Sequence, residues 1–271
     1  MGNRIVARRP KCLGVATLGL LMCISRNAES QFGPEPAPAR PVDAKTAAPY
    51  DITGYWVSVV TEDWRWRMVT PAKGDYASVP LTTEGRKVTD AWDPAKDEAE
   101  GAQCKAYGAP AIMRVPGRIH VTWVDANTMK IDADAGSQVR TLHFGEWKTS
   151  GGEPQWQGDS IASWDEMIPS RGGLALVPPS REIGGQKRGT LKVITTHMRP
   201  GYLRKNGVPY SANAVVTEYY DLSREASGDT WLWITTVVND PQYLTQPFIT
   251  STHWKKQPDA SGWNPTPCSA R

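Results

Sequence analysis

The chain has 271 residues, of which 39% are hydrophobic, and a formal net charge of +3. Its first thirty residues contain five basic residues and one acidic residue, so the rest of the chain has a net charge of −1. This balance argues against a nucleic-acid partner or an anionic-membrane surface, and the length fits one sizeable domain.

Residues 1–30 predict a signal peptide. A basic stretch ends at Lys11, an apolar run covers residues 12–24, and the small residue Ser30 fits a cleavage site. The apolar run is short for a bilayer span. We therefore expect a periplasmic or secreted protein, cleaved after Ser30, with no membrane span in the mature chain.

Cleavage would leave two cysteines, Cys104 and Cys268. In an oxidising compartment such a pair predicts a disulfide, here closing a loop of roughly 165 residues. The chain-entropy model gives such a loop about 5 kcal/mol of stabilisation. The alternative is a reactive thiol at Cys104, next to the cation Lys105.

The chain predicts a single folded domain between two less regular segments. Residues 31–49 are rich in Pro and Ala, which predicts a linker without a helix or a core strand. The domain is expected over residues 50–256. A tail follows over residues 257–271, held by Cys268.

The domain is predicted to be mainly β. Eight segments are rich in Val, Ile, Thr and aromatic residues and read as strands. Three short turns at residues 125–127, 135–137 and 227–229 favour antiparallel pairing, and Asn206-Gly207 marks a further tight turn. The predicted strands are Thr53–Val60, Arg118–Val124, Thr128–Ala133, Gln138–Phe144, Leu191–Met198, Val215–Leu222, Thr230–Val238 and Phe248–Lys255.

Helix is predicted only over residues 83–102. One helix spans Thr83–Trp92 with Thr82 or Thr83 as its cap, and a second begins at Pro94 and continues to Ala102, beside Cys104. Residues 165–189 contain Gly-Gly and Pro-Pro pairs and predict a long loop, either a binding loop or a plain excursion.

Eight antiparallel strands with short turns favour a closed barrel, with a β-sandwich as the alternative. Gly54-Tyr55-Trp56 resembles the Gly-x-Trp element of lipocalins, whose eight-stranded barrels hold small ligands. Lipocalins also place an Arg against that Trp near the last strand, where this chain has Lys255 and Lys256. Together, residues 51–56 and 201–210 resemble an uncharacterised family of exported bacterial proteins. The expected fold is an antiparallel, lipocalin-like barrel with one or two short helices.

The four histidines lie in or beside four different predicted strands, and each has a hydroxyl residue two positions away. Residues two apart in a strand share a face. If these strands line one barrel, imidazoles and hydroxyls would edge one cavity, with Tyr219 as a further proton donor. The pairs are His120 with Thr122, His143 with Thr141, His197 with Thr195, and His253 with Ser251.

The sequence predicts neither a metal site nor a cofactor. It has no His-x-His, His-Glu-x-x-His or cysteine cluster of the kind that zinc sites show. It also lacks the Gly-x-Ser-x-Gly elbow and the phosphate-binding loop of nucleotide enzymes.

The segment Trp64-Arg65-Trp66-Arg67 alternates aromatic rings with cations. Such a ladder either stacks internally or presents Trp64 and Trp66 to a sugar or an aromatic ligand.

The sequence supports three alternative hypotheses for the function of the protein. The first is an exported β-barrel that binds a small apolar or aromatic ligand in a cavity edged by histidines. The second is a cofactor-independent lyase, isomerase or hydratase that uses the same cavity, with the four histidines and Tyr219 as candidate catalytic groups. The third is carbohydrate or envelope binding through tryptophans.

Overall fold

The structure is a computed structural model that describes residues 42–149, 151–165, 182–183, 186–187 and 189–271. The predicted signal peptide, most of the predicted linker and most of the predicted loop at 165–189 lie outside these residues. Residues 42–271 cluster as one compact unit.

Nine strands form a closed barrel, in the order β1-β13-β12-β11-β8-β5-β4-β3-β2. Two short antiparallel pairs, β6 with β7 and β9 with β10, lie outside the barrel. The strands are β1 Gly54–Val59, β2 Arg118–Trp123, β3 Thr128–Ala133, β4 Gln138–Phe144, β5 Asp159–Asp165, β6 Glu182–Ile183, β7 Gln186–Lys187, β8 Thr190–Thr196, β9 Gly201–Arg204, β10 Val208–Tyr210, β11 Val215–Arg224, β12 Thr230–Asn239 and β13 Phe248–Lys256.

The mainly β prediction and the closed barrel are confirmed, and all eight predicted strands are present. The expectation of a fully antiparallel barrel is wrong at one pair, because the additional strand β5 runs parallel to β4. A parallel pair needs a crossover rather than a hairpin. The described residues 145–149 and 151–158 belong to that crossover.

Strand β5 escaped prediction because its hydrophobic pattern is inverted. Its inward residues include the small Ser160 and Ala162, which are buried, whereas Ile161 points outward and is 42% exposed. Ser160 is small and polar because it lies against the buried guanidinium of Arg140, 3.1 Å away. A strand with this pattern lacks the usual apolar alternation.

The helices are short. The two predicted ones are confirmed, with Thr82 capping the first and Asp93 the second through side-chain acceptors. A one-turn helix also forms inside the predicted linker, where Asp43 caps residues 44–47. No helix in the described ranges has the length and apolarity needed to cross a membrane. The helices are α1 Ala44–Ala47, α2 Trp64–Arg67, α3 Thr83–Asp90, α4 Pro94–Ala99 and α5 Ala109–Ile112.

Two hydrophobic clusters build the core. The larger one fills the barrel around Trp56, Tyr220 and Trp254, each at most 1% exposed. The smaller one contains Leu203 and Phe248 and packs the β9–β10 hairpin over one end of the barrel. We call this hairpin, together with residues 64–68 (which include α2) and 103–116 (which include α5), the cap.

The predicted disulfide joins Cys104 to Cys268, with a Cα–Cα distance of 5.1 Å. Cys104 lies in the 3-10 helix Gln103–Tyr107, which packs beside β9. The tail is further fixed by the bond from the Thr266 amide to the Asp134 carbonyl, 2.9 Å long. The disulfide thus ties the C-terminal tail to the cap.

Candidate functional site

The strand registers place three of the four histidines on the outer face of the barrel. His120, His143 and His253 each alternate with buried inward residues on β2, β4 and β13. The fourth, His197, follows β8 in a left-handed conformation, with φ of 55°. That turn explains why Thr195 points inward and is fully buried while His197 faces outward, contrary to the simple two-residue alternation.

The barrel interior contains a buried ion pair within its packed core. Arg140 contacts Glu218 at 2.5 Å and donates to Thr195 at 2.6 Å. Tyr220 lies in the same region, and burial, followed by the charge of Glu218, raises its pKa far above the ordinary value. Thr195, one of the predicted ligand-binding residues, points into the barrel and therefore belongs to this structural network.

His120 and His253 lie beside β1, each against an aromatic ring and a carboxylate. His120 stacks on Tyr55 with ring centroids 3.9 Å apart, and its Nδ1 is 4.0 Å from Asp132. His253 lies edge-on to Trp233, and its Nδ1 is 3.3 Å from Glu62. These two histidines are separate from the other pair.

Asp159 on β5 contacts one histidine, His197, and its charge acts on a second, His143. His197 Nδ1 is 2.9 Å from Asp159 Oδ2. His143 lies on the other neighbour of β5, strand β4, and the charge of Asp159 acts on its pKa. Strand β5 lies between β4 and β8 and therefore places the Asp159 carboxylate where it contacts His197 and also acts on His143.

Asp159 and His143 line a cleft of about 360 Å³ between the barrel wall and the β4–β5 crossover. We call it the outer cleft. Its aromatic walls are Trp147, stacked on His143 at 4.2 Å, and Trp156, which lies under the Arg199 guanidinium at 4.6 Å. The remaining lining is Gln138, Val139, Thr141, Gln155, Gln157, Gly158 and Ser160.

Sequence reasoning found His143 and Thr141 but missed the rest of this cleft. Trp147, Trp156 and Gln157 belong to the crossover, whose position depends on the unpredicted β5. Gln157 is 8% exposed, and its Oε1 has no hydrogen-bond partner. The signal that the sequence offered was the presence of Trp147 and Trp156 outside every predicted strand.

Burial lowers the pKa of His143, although the charges of Asp125 and Asp159 oppose this effect. Burial likewise lowers the pKa values of His120 and His253. These three imidazoles are therefore biased toward the neutral form, in which one ring nitrogen accepts a hydrogen bond.

Trp64 and Trp66 do not form a flat platform, because their segment is the helical turn α2 rather than an extended ladder. Residues two apart on a helix point in different directions. Trp64 is exposed, whereas Trp66 donates its indole N–H to Asp75 and lies under the Arg204 guanidinium at 4.6 Å.

The other predicted site residues are dispersed over the outer wall. Tyr219 faces outward on β11. Ser251 is exposed on β13 and lies 3.2 Å from the hydroxyl of Thr235. Thr122 lines a different pocket beside α1. None of the three contributes to the lining of the outer cleft.

Lys256 places its ammonium 4.5 Å from the centre of the Trp56 ring and bonds the Thr53 carbonyl. A cation from the end of the last strand thus lies against the Trp of the first strand. The resemblance to lipocalins itself stays a prediction.

In the part of the chain that the structure describes, no group of three or more His, Cys, Asp or Glu side chains is arranged to hold a metal ion. No family model, curated protein or solved structure matches the chain.

Proposed function

We propose that this protein is an exported binding protein that holds a small hydroxylated ring, such as a sugar residue, in the outer cleft. The observation that carries the proposal is the pairing of two indole rings, Trp147 and Trp156, with a buried, unpartnered acceptor on Gln157. This assignment replaces the apolar ligand inside the barrel with a polar ligand outside it.

The size of the cleft suits a small ligand. Pockets for small molecules usually measure roughly 300–1,000 Å³, and the outer cleft measures about 360 Å³. The interior of the barrel, in contrast, is occupied by Trp56, Tyr220 and Trp254.

The two indole rings are held in place before any ligand arrives. His143 stacks on Trp147 with the ring planes 2° apart, and Arg199 lies against Trp156. Such fixed rings lose little conformational freedom on binding. They provide apolar surface for the C–H faces of a sugar ring.

The polar lining favours hydroxyl groups on the ligand. The Nε2 of Gln157 already donates to the Tyr107 carbonyl at 2.6 Å, so its side-chain oxygen is the group that lacks a partner. A buried acceptor without a donor costs free energy. A ligand O–H would satisfy it, and an apolar ligand would not.

Export is supported by the disulfide between Cys104 and Cys268, since such bonds persist in oxidising compartments. Mass spectrometry of the protein from its native host tests this part. A mature chain that begins at Gln31 is expected, whereas an intact Met1 on the functional protein would contradict it.

The ligand is tested by titrating the mature protein with cellotriose and chitotriose while the indole N–H signals are followed by NMR. We expect saturable shifts of the Trp147 and Trp156 signals with at least one trisaccharide. Trp147→Ala and Trp156→Ala should each weaken binding by about tenfold or more, equivalent to at least 1.4 kcal/mol.

Trp233→Ala is the matched control, because Trp233 is exposed on β12, outside the lining of the cleft. It should bind as the native protein does. Indole serves as an apolar ring of similar size. Saturation by indole alone, or by neither sugar, would overturn the proposal, as would equal losses in Trp233→Ala and Trp147→Ala.

A further inference from the structure

We propose that the cap contains a second ligand site, a pocket for a tetrahedral oxyanion or a phosphoryl group between Arg114 and Arg204. We call it the arginine pocket. It is lined by other residues than the outer cleft, and its volume is about 280 Å³. The volume lies just below the roughly 300–1,000 Å³ of pockets for drug-sized ligands, so it suits an ion or one small phosphorylated group.

Four cationic residues, and no acidic ones, line this pocket among the residues that the structure describes: Arg67, Arg114, Arg204 and Lys205. They come from three elements remote in sequence, namely α2, the segment after α5, and the end of β9. Several cationic side chains that line one low-dielectric cleft attract an anion strongly.

Three guanidinium nitrogens at the pocket have no partner. Arg204 donates from Nη1 to the Ala77 carbonyl at 2.8 Å, but its Nε and Nη2 are buried without an acceptor. Arg114 donates from Nη1 to Asp63 at 2.9 Å, and its Nη2 also lacks an acceptor. Both side chains are at least nine-tenths buried, at 3% and 5% exposure.

The two unpartnered nitrogens of Arg204, Nε and Nη2, lie on one edge of its guanidinium group. This edge can donate two parallel hydrogen bonds to two oxygens of a carboxylate or phosphate. The free Nη2 of Arg114 adds a third donor. A carboxylate can accept about three or four hydrogen bonds on its two oxygens, so the number of donors does not by itself select the ligand. Phosphate carries close to two negative charges, and this matches the excess of cationic residues over the carboxylates of Glu62 and Asp63 better than the single charge of a carboxylate does.

The guanidinium groups are fixed by rings. Arg204 lies 4.6 Å from the centre of the Trp66 ring, and Phe248 is within 6 Å of both Arg204 and Arg114. Trp66 is held in turn by its bond to Asp75. Planar guanidinium groups stacked in this way keep their orientation, which lowers the entropic cost of binding.

Carboxylates neutralise this cluster only in part. Glu62 pairs with Arg67, and Asp63 pairs with Arg114, but neither carboxylate lines the pocket. Burial, together with the neighbouring charge of Arg114, lowers the pKa values of Arg67 and Arg204 to about 10. An anion would supply both the missing acceptors and the missing countercharge.

Inorganic phosphate is the probe, titrated into the mature protein by calorimetry at low ionic strength. We expect saturable binding of one phosphate per chain. Arg204→Met and Arg114→Met should each lower the affinity by about tenfold or more, because each variant removes a hydrogen bond to a charged group. Arg204→Lys, which keeps the charge but loses the fork, should lose most of that affinity too.

Arg199→Met is the matched control, since Arg199 also lies 4.6 Å over a tryptophan ring but outside this pocket. It should bind phosphate as the native protein does. Circular dichroism establishes that each variant folds, and Arg204→Lys keeps the test decisive if Arg204→Met does not fold.

Glycerol 3-phosphate distinguishes a free ion from a phosphoryl group on a larger molecule. Tighter binding of glycerol 3-phosphate assigns the pocket to a phosphorylated compound, and tighter binding of phosphate assigns it to the ion. The proposal is overturned if neither saturates the native protein, or if Arg199→Met loses as much affinity as Arg204→Met.

Discussion

Two buried arginines in this protein, Arg140 inside the barrel and Arg204 in the cap, have very different surroundings. Each is 3% exposed. Arg140 contacts the carboxylate of Glu218 at 2.5 Å and two hydroxyl groups. Arg204 has a backbone carbonyl, two aromatic rings and no bonded carboxylate.

The difference shows that burial alone does not give an arginine its role. Burial is the largest single effect on the pKa of Arg140 and would lower it, but the charges of Glu218 and Tyr220 and the hydrogen bond to Glu218 together outweigh burial, so the pKa is raised. Burial lowers the pKa of Arg204 to about 10, and neighbouring Arg114 adds to the effect. Arg140 has its countercharge in contact and one nitrogen, Nη1, without a partner, whereas Arg204 has two such nitrogens, Nε and Nη2, and no bonded carboxylate.

The largest effect is expected from breaking the barrel pair. Glu218→Ala leaves the Arg140 charge buried without a counterion, which should lower the free energy of unfolding by about 3–5 kcal/mol. Urea denaturation measures the loss. The double variant Arg140→Met with Glu218→Leu should recover most of it, because the buried charges are gone. A loss below about 1 kcal/mol in the single variant would show that the pair is not a buried unit.

Removing the disulfide tests whether the cap depends on its covalent tie. Cys104→Ser with Cys268→Ser should lower the free energy of unfolding by about 2–4 kcal/mol. Hydrogen exchange should increase most at residues 103–107, which hold Cys104 and the pocket residue Tyr107. The strands around Arg140 should change least. Equal increases in the barrel and the cap would contradict this separation.

The barrel was predictable from sequence because its alternation is local. Strands such as β12, Thr230–Asn239, carry their pattern and their turn residues within a few positions. The sites were not predictable, since they depend on distant contacts. The outer cleft requires β5, whose inward Ser160 and Ala162 conceal the strand, and the arginine pocket joins residues far apart in the chain.

His197 illustrates the same limit at one residue. Alternation along β8 predicts that it shares a face with Thr195, but the left-handed backbone at His197 reverses its direction. Such a conformation is uncommon outside glycine and leaves no clear signal in a single sequence. The histidines therefore lie in outer-wall environments rather than in one interior cavity.

Replacing each arginine by Met compares the two regions directly. Arg140→Met leaves the Glu218 carboxylate buried and unpaired, so we expect a loss of about 3 kcal/mol or more. Arg204→Met removes a charge that has no bonded carboxylate, so we expect a change within about 1 kcal/mol in the absence of any anion. Thermal and urea unfolding measure both. A loss as large as that of Arg140→Met would mark Arg204 as a structural residue.

The smallest effect is expected from the outer-wall histidines, which are only partly buried. Burial lowers the pKa values of His120, His143 and His253 below 6.5, so the unfolded chain binds more protons than the folded chain between each lowered pKa and 6.5. The free energy of unfolding should therefore fall as the pH decreases from 7.5 through 6.5. The histidine contribution should level off below the lowered pKa values.

Urea denaturation between pH 7.5 and 5.5 measures this slope. The variant with all three histidines changed to Gln should show a smaller slope. An unchanged slope would show that these imidazoles titrate alike in the folded and unfolded chains. Burial would then affect stability through the arginines and not through the outer-wall histidines.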